Sequence, residues 1–366
     1  MSHGPIMLDL QDLELRAEER ELLRHPAVGG VILFARNYQS PEQISELIRA
    51  IRQARTKPLL VALDQEGGRV QRLREGFTRL PPAAWYGKRY RQQAEAGLTA
   101  AREAGWLMAA ELRAIDVDFS FAPVADLDGA DNPAIGARAF AQEPRQAAML
   151  AAAWMRGARE AGMSSVAKHF PGHGGVAIDS HVELPRDNRT LGQLWHHDLL
   201  PFRHLIAKGV EAIMPGHLLF EALDAQPVVF SRYWLQEVLR DKLRFTGPIV
   251  TDDLNMQGIT GLGEIEERCR YALAAGCDLL LVCNDRPSAI RAIEALAGYS
   301  DPQARHRLLR LQGNPRITHH ALNEQPRWRQ AARLLAEHAP ERDRTIDPTT
   351  HYQGKPNDHD NYEDRR

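Results

Sequence analysis

The sequence predicts an α/β protein of the (β/α)8 TIM barrel class, formed by a single domain. Three observations on the 366-residue chain support this prediction. Short apolar runs rich in β-branched residues alternate with longer segments whose apolar residues recur every three or four positions. There are eight of these short runs, and eight parallel strands close a barrel. The first run, 5–10, lacks the glycine-rich turn that follows the first strand of dinucleotide-binding open sheets.

Each predicted strand is a near-continuous apolar run, which is typical of a parallel sheet covered on both faces. The predicted strands span residues 5–10, 30–35, 59–64, 117–123, 164–170, 210–217, 247–253 and 277–283. The segments between them show helical periodicity, and several end on glycine, which commonly follows the last helical turn. The clearest predicted helices span residues 41–54, 97–115, 144–162, 199–209 and 265–276.

The end of the chain differs in composition from the rest. Residues 340–366 are charged, contain proline and have almost no aliphatic side chains. Such a segment cannot bury enough apolar surface to offset the entropy of ordering it. We therefore expect residues 1–339 to form the barrel domain and residues 340–366 to be a disordered polar tail.

The composition argues against several classes of function. Lys and Arg number 46 against 48 Asp and Glu, for a formal net charge of −2, so no general basic surface exists for nucleic acid. No stretch approaches eighteen uninterrupted apolar residues, and the N-terminus turns acidic before a signal peptide could form. We expect a cytoplasmic protein that binds neither nucleic acid nor membrane. Since no large apolar surplus calls for a partner, we also expect a monomer.

The cysteines give no sign of a disulfide or zinc framework. They are Cys269, Cys277 and Cys283, an odd number whose spacing fits no CxxC pattern. Two of them flank an apolar run, so we expect them to act as small hydrophobic residues.

Polar side chains gather where the predicted strands end, which is where α/β barrels place their functional groups. One charge at one strand end is ordinary, but charges at several consecutive strand ends indicate a site. These groups could hydrogen-bond the hydroxyls of a sugar, or bind a carboxylate or phosphate. After the third, fourth and fifth strands, they are Asp64, Glu66, Arg69, Arg72, Arg138, Lys168 and His169.

The sixth strand ends at His217, and the seventh ends in two adjacent aspartates. Asp252, at the tip of this strand, is placed to act as a nucleophile or a base. Neighbouring side chains of an extended strand point to opposite faces. We therefore expect only one of Asp252 and Asp253 to face the mouth of the barrel.

The segment 171–175, PGHGG, has the composition of a loop and leads to a second candidate group. Asp179 and His181 lie two positions apart, so in an extended backbone they share a face. A carboxylate beside an imidazole fixes its tautomer and raises its basicity, which suits proton transfer. Alternatively, His169 and His173 could bind a metal together with Asp179 and His181. The glycines could also form an anion-binding nest, although no GK[ST] helix follows, or the loop could have no chemical role.

Six segments together resemble the signature segments of glycoside hydrolase family 3 β-N-acetylglucosaminidases, in particular the bacterial cytoplasmic type that acts in peptidoglycan recycling. They occur in the family's order, and the resemblance extends from about residue 5 to about residue 335. The polar tail is not part of the family core, and within GARAF only Arg138 itself is transferred from the family pattern. The segments are LDQEGGRVQRL, GARAF, VAKHFPGHG, DSH, MPGH and VTDDLNMQGI.

The resemblance implies a (β/α)8 barrel that uses no metal or other cofactor. It implies that Asp252 is the nucleophile, that His181 is the proton donor and acceptor, and that Asp179 is the partner of His181. The implied substrate-binding residues are Asp64, Arg72, Arg138, Lys168 and His169.

The implied activity is the removal of N-acetylglucosamine from 1,6-anhydro-N-acetylmuramic acid, with or without its peptide, through a covalent glycosyl-enzyme and with net retention. The residue chemistry leaves other functions open. A phosphorylase would use phosphate in place of water, because a histidine tolerates an incoming anion better than a carboxylate does. A metal-dependent hydrolase and a non-catalytic sugar-binding barrel are further alternatives.

Overall fold

Eight parallel strands form one sheet in the computed structural model of the chain, which describes residues 4–129, 132–175, 183–314 and 319–338. The sheet has the strand order β8-β7-β6-β3-β2-β1-β10-β9. In chain order, the strands are β1 (Ile6–Asp9), β2 (Val28–Leu33), β3 (Leu60–Leu63), β4 (Gln65–Gly67), β5 (Val70–Gln71), β6 (Phe119–Ser120), β7 (Ser164–Phe170), β8 (Ala212–Pro215), β9 (Val250–Asp253) and β10 (Leu279–Val282). A parallel bridge between Ile213 and Ile249 joins the two edge strands, so the sheet nearly closes on itself. The predicted barrel class is confirmed.

Every predicted strand overlaps one strand of the barrel, and the structure adds the short antiparallel hairpin of β4 and β5. The largest difference in length is in the predicted strand 117–123, of which only Phe119–Ser120 is regular. Pro123 has no N–H to donate, and beyond it the pairing with β7 continues as an isolated bridge between Val124 and Lys168. The polar groups that follow this strand therefore begin later than the sequence pattern indicates.

Helices surround the barrel, and the five predicted ones correspond to α2, α4, α5, α7 and α9. In chain order, the α-helices are α1 (Ala17–Arg24), α2 (Pro41–Gln53), α3 (Ala83–Gln92), α4 (Ala94–Ala114), α5 (Pro144–Glu160), α6 (Leu191–His196), α7 (Leu199–Ala207), α8 (Gln257–Thr260), α9 (Ile265–Ala275), α10 (Arg286–Ala295), α11 (Pro302–Leu308), α12 (His319–Asn323) and α13 (Pro326–Ala336). The other helical segments are the 3-10 turns Ala35–Asn37, Gly136–Arg138, Val228–Phe230 and Leu309–Leu311, and the π-helix Tyr233–Lys242.

The C-terminal helix α13 is held against α4 by a buried polar contact. The indole Nε1 of Trp328 donates to Oε1 of Glu111 at 2.9 Å, and the hydroxyl of Thr78 donates to the same oxygen at 2.6 Å. Burial raises the pKa of Glu111, although these hydrogen bonds lower it. The chain therefore stays packed against the barrel through α13, whose Leu335 is also buried. Residues 340–366, predicted to be a disordered tail, lie outside the described residues, and the domain boundary at 339 stays a prediction.

Two further expectations concern burial and membranes. Cys269, Cys277 and Cys283 are all buried and free, as expected of small hydrophobic residues. Within the described ranges, no helix combines the length and apolar content that crossing a membrane requires.

Helices α4 and α5 approach each other so closely that glycine is required at their contact. A Cβ atom on Gly157 would lie 1.9 Å from the carbonyl oxygen of Arg102, and one on Gly105 would lie 2.1 Å from that of Trp154. Both neighbours are backbone atoms, which cannot turn aside as a flexible side chain would. The contact therefore fixes the spacing of the helices that cover β6 and β7.

We expect Gly157→Ala to destabilise the protein by about 1–3 kcal/mol, because overpacking outweighs the better helix propensity of alanine. Gly192→Ala is a matched control, since Gly192 lies in α6 with only the Thr190 hydroxyl, at 4.0 Å, near its missing Cβ. This control should stabilise the protein by about 0.4–1 kcal/mol. Urea unfolding measures both changes, and stabilisation by both substitutions would contradict the close backbone contact.

Candidate active site

The predicted site residues that the structure describes lie along one edge of the barrel, where the strands end. Lys168 and His169 are in the last part of β7, and Asp252 and Asp253 are the last residues of β9. Asp64 follows β3 directly. The Lys168–His169 and Phe170–Pro171 peptide bonds are cis. The strand-end pattern in the sequence thus corresponds to one face of the folded protein.

Five charged side chains form a continuous chain of ion pairs at this edge. The buried Lys168, only 3% exposed, places its Nζ 2.7 Å from Oδ1 of Asp64 and 2.6 Å from Oε1 of Glu66. Arg72 extends the chain on one side, with Nη2 3.0 Å from Oδ2 of Asp64. On the other side, Arg138 donates to both carboxylate oxygens of Glu66 at 2.8 Å. We call these five residues the Lys168 network.

Opposite charges alternate along the Lys168 network, and this sets the protonation of its members. Burial favours the neutral forms of Asp64 and Glu66, but the neighbouring cations outweigh it. They hold the pKa of Asp64 well below its usual range and lower the pKa of Glu66 to about 2. Burial likewise favours neutral Lys168, yet the two carboxylates raise the pKa of its ammonium group. All three groups are therefore charged at neutral pH.

The loop that carries Arg138 is held by its own set of hydrogen bonds. Arg69 donates to the carbonyls of Pro133 and Ala134 at 2.9 and 2.6 Å, and Arg138 also donates to that of Ala134 at 2.9 Å. The side-chain oxygen of Asn132 accepts from the backbone N–H of Ala134 at 2.8 Å. These contacts fix the Arg138 guanidinium beside Glu66.

His169 is oriented by a carboxylate that was not among the predicted site residues. Its Nδ1 lies 2.6 Å from Oδ2 of the buried Asp126. Asp126 also accepts the backbone N–H groups of His169 at 3.2 Å and of His173 at 2.7 Å. Burial opposes ionisation of Asp126, but His169 and His173 lower its pKa. A carboxylate at Nδ1 leaves Nε2 as the ring nitrogen that is available to a ligand.

The two aspartates at the end of β9 occupy different environments, as strand alternation predicts. Oδ1 of Asp252 accepts the backbone N–H of Asp253 at 2.8 Å. The Asp253 carboxyl instead accepts the N–H groups of Asn255 and Cys283, both at 3.0 Å. Nε2 of His217 donates to the carbonyl of Asp253 at 2.9 Å. Burial, together with the charges of Asp252 and Asp9, raises the pKa of Asp253 to about 7.

Four of the five predicted binding residues therefore belong to one network: Asp64, Arg72, Arg138 and Lys168. The fifth, His169, follows Lys168 in the sequence. Sequence reasoning missed Asp126. It names Glu66 as a strand-end candidate beside Asp64 but does not place it among the binding residues. Asp126 follows the fourth barrel strand, beyond the point at which that strand is predicted to end.

Two predicted residues, Asp179 and His181, lie outside the described residues, so their acid/base roles stay predictions. The alternative of a metal cage used both of them together with His169 and His173. In the described part of the chain, no group of three or more His, Cys, Asp and Glu side chains could hold a metal ion. His169 contacts Asp126, and His173 lies 2.9 Å from the side-chain nitrogen of Asn132.

Comparison with known proteins shows similarity over nearly the whole barrel. The sequence pattern of the glycosyl hydrolase family 3 N-terminal domain matches residues 6–307. A β-hexosaminidase from Thioalkalivibrio sulfidiphilus is 50% identical over 335 residues, which cover 92% of this chain and 96% of that protein. Native NagZ from Neisseria gonorrhoeae is similar in structure, with a TM-score of 0.88 and 39% identity over 93% of this chain and 99% of the other. NagZ from the same organism in complex with N-trifluoroacetyl-D-glucosamine has a TM-score of 0.88 and 40% identity over 92% and 98% of the two chains.

The Lys168 network predicts how stability depends on pH. The pKa of Glu66 is about 2 in the folded protein and about 4.3 in an unfolded chain, so its stabilising effect is complete above the unfolded value. It is lost as the pH falls from about 5 to about 2. We expect Glu66→Gln to be about 3 kcal/mol less stable than the wild type at pH 7, because Arg138 and Lys168 lose a buried counter-charge. This difference should shrink as the pH falls through the same window.

Urea unfolding at a series of pH values measures the effect. Glu14→Gln makes the same chemical change at an exposed position and should follow the wild-type curve. A difference between Glu66→Gln and the wild type that stays constant from pH 7 to pH 3 would show that Glu66 does not act through its charge.

Proposed function

The chain belongs to glycosyl hydrolase family 3 and is a β-N-acetylhexosaminidase, and we propose that it removes terminal N-acetylglucosamine from 1,6-anhydro-N-acetylmuramic acid, with or without its peptide. The observation that carries this proposal is the Lys168 network, which lies at the same edge of the barrel as Asp252. The proposal includes a role in cell-wall recycling, which comes from the sequence resemblance. It also includes a cytoplasmic location and a monomeric enzyme, which are expected from the residue composition and hydropathy.

The Lys168 network suits a sugar better than a free anion. A sugar hydroxyl can donate to a carboxylate and accept from an ammonium or guanidinium group at the same time. The network offers both kinds of partner in fixed positions, because each charge is held by its neighbours. Arg72 and Asp64 are the more exposed end, with side chains 30% and 15% exposed, whereas Lys168 is buried beneath them. We propose that Asp64, Arg72, Arg138, Lys168 and His169 hold the N-acetylglucosamine ring.

Asp252 is the proposed nucleophile. The N–H of Asp253 binds Oδ1 of its carboxylate and helps to fix the group, which attacks the anomeric carbon. His181 protonates the departing glycosidic oxygen as the covalent glycosyl-enzyme forms. Water then attacks the same carbon and His181 takes the proton, so the configuration is retained. Asp179 is proposed to orient His181 and to raise its basicity.

A histidine has a physical advantage over a second carboxylate as the acid at this site. In the free enzyme Asp252 is ionised, and a second carboxyl group that lost its proton there would be an anion beside it, although like charges at short range disfavour each other. A histidine that loses its proton is neutral. Asp253 already places one titrating carboxyl beside Asp252, with a pKa of about 7. A neutral partner therefore limits the negative charge that accumulates around the nucleophile.

Covalent trapping tests the nucleophile. We expect a 2-deoxy-2-fluoro glycosyl donor to label the wild type on Asp252, detected by mass spectrometry of the peptide that contains 250–254. Asp252→Asn should lose label and lower kcat/KM by about 10⁴-fold, on the order of the losses that follow removal of a nucleophile. Asp253→Asn keeps an oxygen acceptor for Asn255 and Cys283 and should still be labelled on Asp252. Labelling of Asp253, or of neither residue, would overturn the assignment.

The role of His181 is tested by the choice of leaving group. With an activated aryl N-acetylglucosaminide, glycosylation needs little protonation, so His181→Ala should keep a fast first step. With a sugar as the leaving group, we expect kcat/KM to fall by about 10²–10⁴-fold. Pre-steady-state release of the aryl group separates glycosylation from the later hydrolysis. Equal losses on both substrates would rule out the acid role.

A further inference from the structure

A cavity of about 430 Å³ opens beside the end of the strand that carries the proposed nucleophile. It lies between the turn after β9, the short helix α8, helix α9 and the start of α10. Among the residues that line it are Asp253, Asn255, Arg268, Cys283, Asn284 and Ser288. Asp253 is the neighbour of Asp252, so the cavity begins one residue, or about 3.8 Å along the backbone, from the proposed nucleophile.

Arg268 is the exceptional member of this lining. It is 5% exposed and stands on the buried face of α9, where Ile265, Cys269 and Ala272 are also buried. In the part of the chain that the structure describes, Nε and Nη1 of Arg268 have no hydrogen-bond partner, and no carboxylate lies within ion-pair distance. Burial lowers the pKa of Arg268. A position of the helix that should carry an apolar side chain thus holds a charge that lacks a counter-ion.

Unlike Arg268, the neighbouring arginines Arg286 and Arg291 are paired with carboxylates. Arg286, at the start of α10, pairs with Glu19 at 2.7 Å. Arg291 lies 3.5 Å from Glu264 and 3.3 Å from Glu266. A buried charge without a partner costs several kcal/mol, which a bound anion would recover.

The location in the barrel is also typical of an anion site. β9 and β10 are the seventh and eighth strands of the barrel, and the loops after these two strands, with a short extra helix, commonly bind phosphate groups in this fold. The short α8 and the starts of α9 and α10 occupy that place here. Fold position and the unpaired Arg268 are independent observations, and both indicate an oxyanion.

Two carboxyl groups in the lining oppose an anion, and neither cancels Arg268. Asp285 is exposed, and its oxygen accepts the hydroxyl of Ser288 at 2.5 Å. Asp253 has a pKa of about 7, so it carries a proton in a large part of the molecules at neutral pH. One of its oxygens is also occupied by the N–H groups of Asn255 and Cys283.

We propose that this cavity is an oxyanion subsite in which Arg268 binds a carboxylate carried by the aglycone of the substrate. The inference rests on the proposed function, because it needs a leaving group that carries an acid. N-acetylglucosamine is neutral and is held by the Lys168 network. The acidic portion of the leaving sugar would then be recognised separately, at the neighbouring loops. A free phosphate offers the same chemistry, so the experiment must distinguish the two sources.

The test compares an N-acetylglucosaminide whose aglycone carries a carboxylate with its neutral methyl ester. For the wild type and each variant, the measured quantity is the ratio of kcat/KM on the acid to kcat/KM on the ester. We expect Arg268→Gln to lower this ratio by about 10–100-fold, mainly through KM, the range expected when a charged hydrogen bond is lost. Arg270→Gln makes the same change on the exposed face of α9 and should leave the ratio unchanged.

A second variant keeps the proposal testable if Arg268→Gln does not fold. Gln257 lies on the exposed rim of the cavity, so Gln257→Glu adds a negative charge without altering the buried lining. We expect it to raise KM for the acid by about 3-fold and to leave KM for the ester within error. Thermal unfolding of each variant confirms that the compared enzymes are folded.

Several outcomes would overturn the proposal. Equal losses on acid and ester in Arg268→Gln would show a structural role alone, and an unchanged ratio would show that Arg268 does not meet the aglycone. Stabilisation of the wild type but not of Arg268→Gln by inorganic phosphate, with no preference for the acid, would identify a free-anion site instead. Release of N-acetylglucosamine from the ester tests the proposed function independently. If neither compound is cleaved, it is the proposed function that fails.

Discussion

The burial of one ammonium group, that of Lys168, is the constraint on which the candidate site depends. A charge that is 3% exposed must be matched by carboxylates at hydrogen-bonding distance, and Asp64 and Glu66 provide them. These carboxylates in turn hold Arg72 and Arg138, which come from different loops. Two loops, those after β3 and β6, and strand β7 are thereby fixed relative to one another by charge alternation. Asp64, Lys168 and Glu66 each have an oppositely charged partner on both sides, and removing one of them would leave an unpaired charge. Because each side chain is held in this way, the network is in place before a ligand binds.

The sequence was sufficient to predict the barrel and most of this network, since both follow from local patterns. Eight apolar runs indicate the strands, and polar residues at their ends indicate the site. Glu66 and Asp126 needed tertiary information. Glu66 lies in β4, so its contact with Lys168 depends on how the hairpin of β4 and β5 folds. Asp126 lies beyond the irregular end of β6. Periodicity cannot report either feature, because both depend on pairing between distant segments.

The end of β9 shows how one strand divides two functions. Asp252 and Asp253 are chemically identical and adjacent, but the pleat directs them to opposite sides. The backbone N–H of Asp253 holds the Asp252 carboxylate, while the side chain of Asp253 ties β9 to the following turn and to β10. His217, two residues beyond β8, donates to the Asp253 carbonyl and so holds the next peptide. The proposed nucleophile is therefore held in part by its neighbour's backbone, which no substitution of the Asp253 side chain removes directly.

Arg268 is another buried cation, and it lines the cavity beside Asp253. In the sequence it looks like one more charge in the run EERCR, yet the helix turns it inward beside Cys269. Each charge of the Lys168 network has an opposite charge beside it, so the network favours a neutral ligand with many hydroxyls. Arg268 is not balanced by the described residues, so it favours a ligand that brings its own negative charge. A substrate with a neutral sugar on one side of the scissile bond and an acidic group on the other satisfies both sites at once. A neutral glycoside would leave Arg268 without its counter-ion.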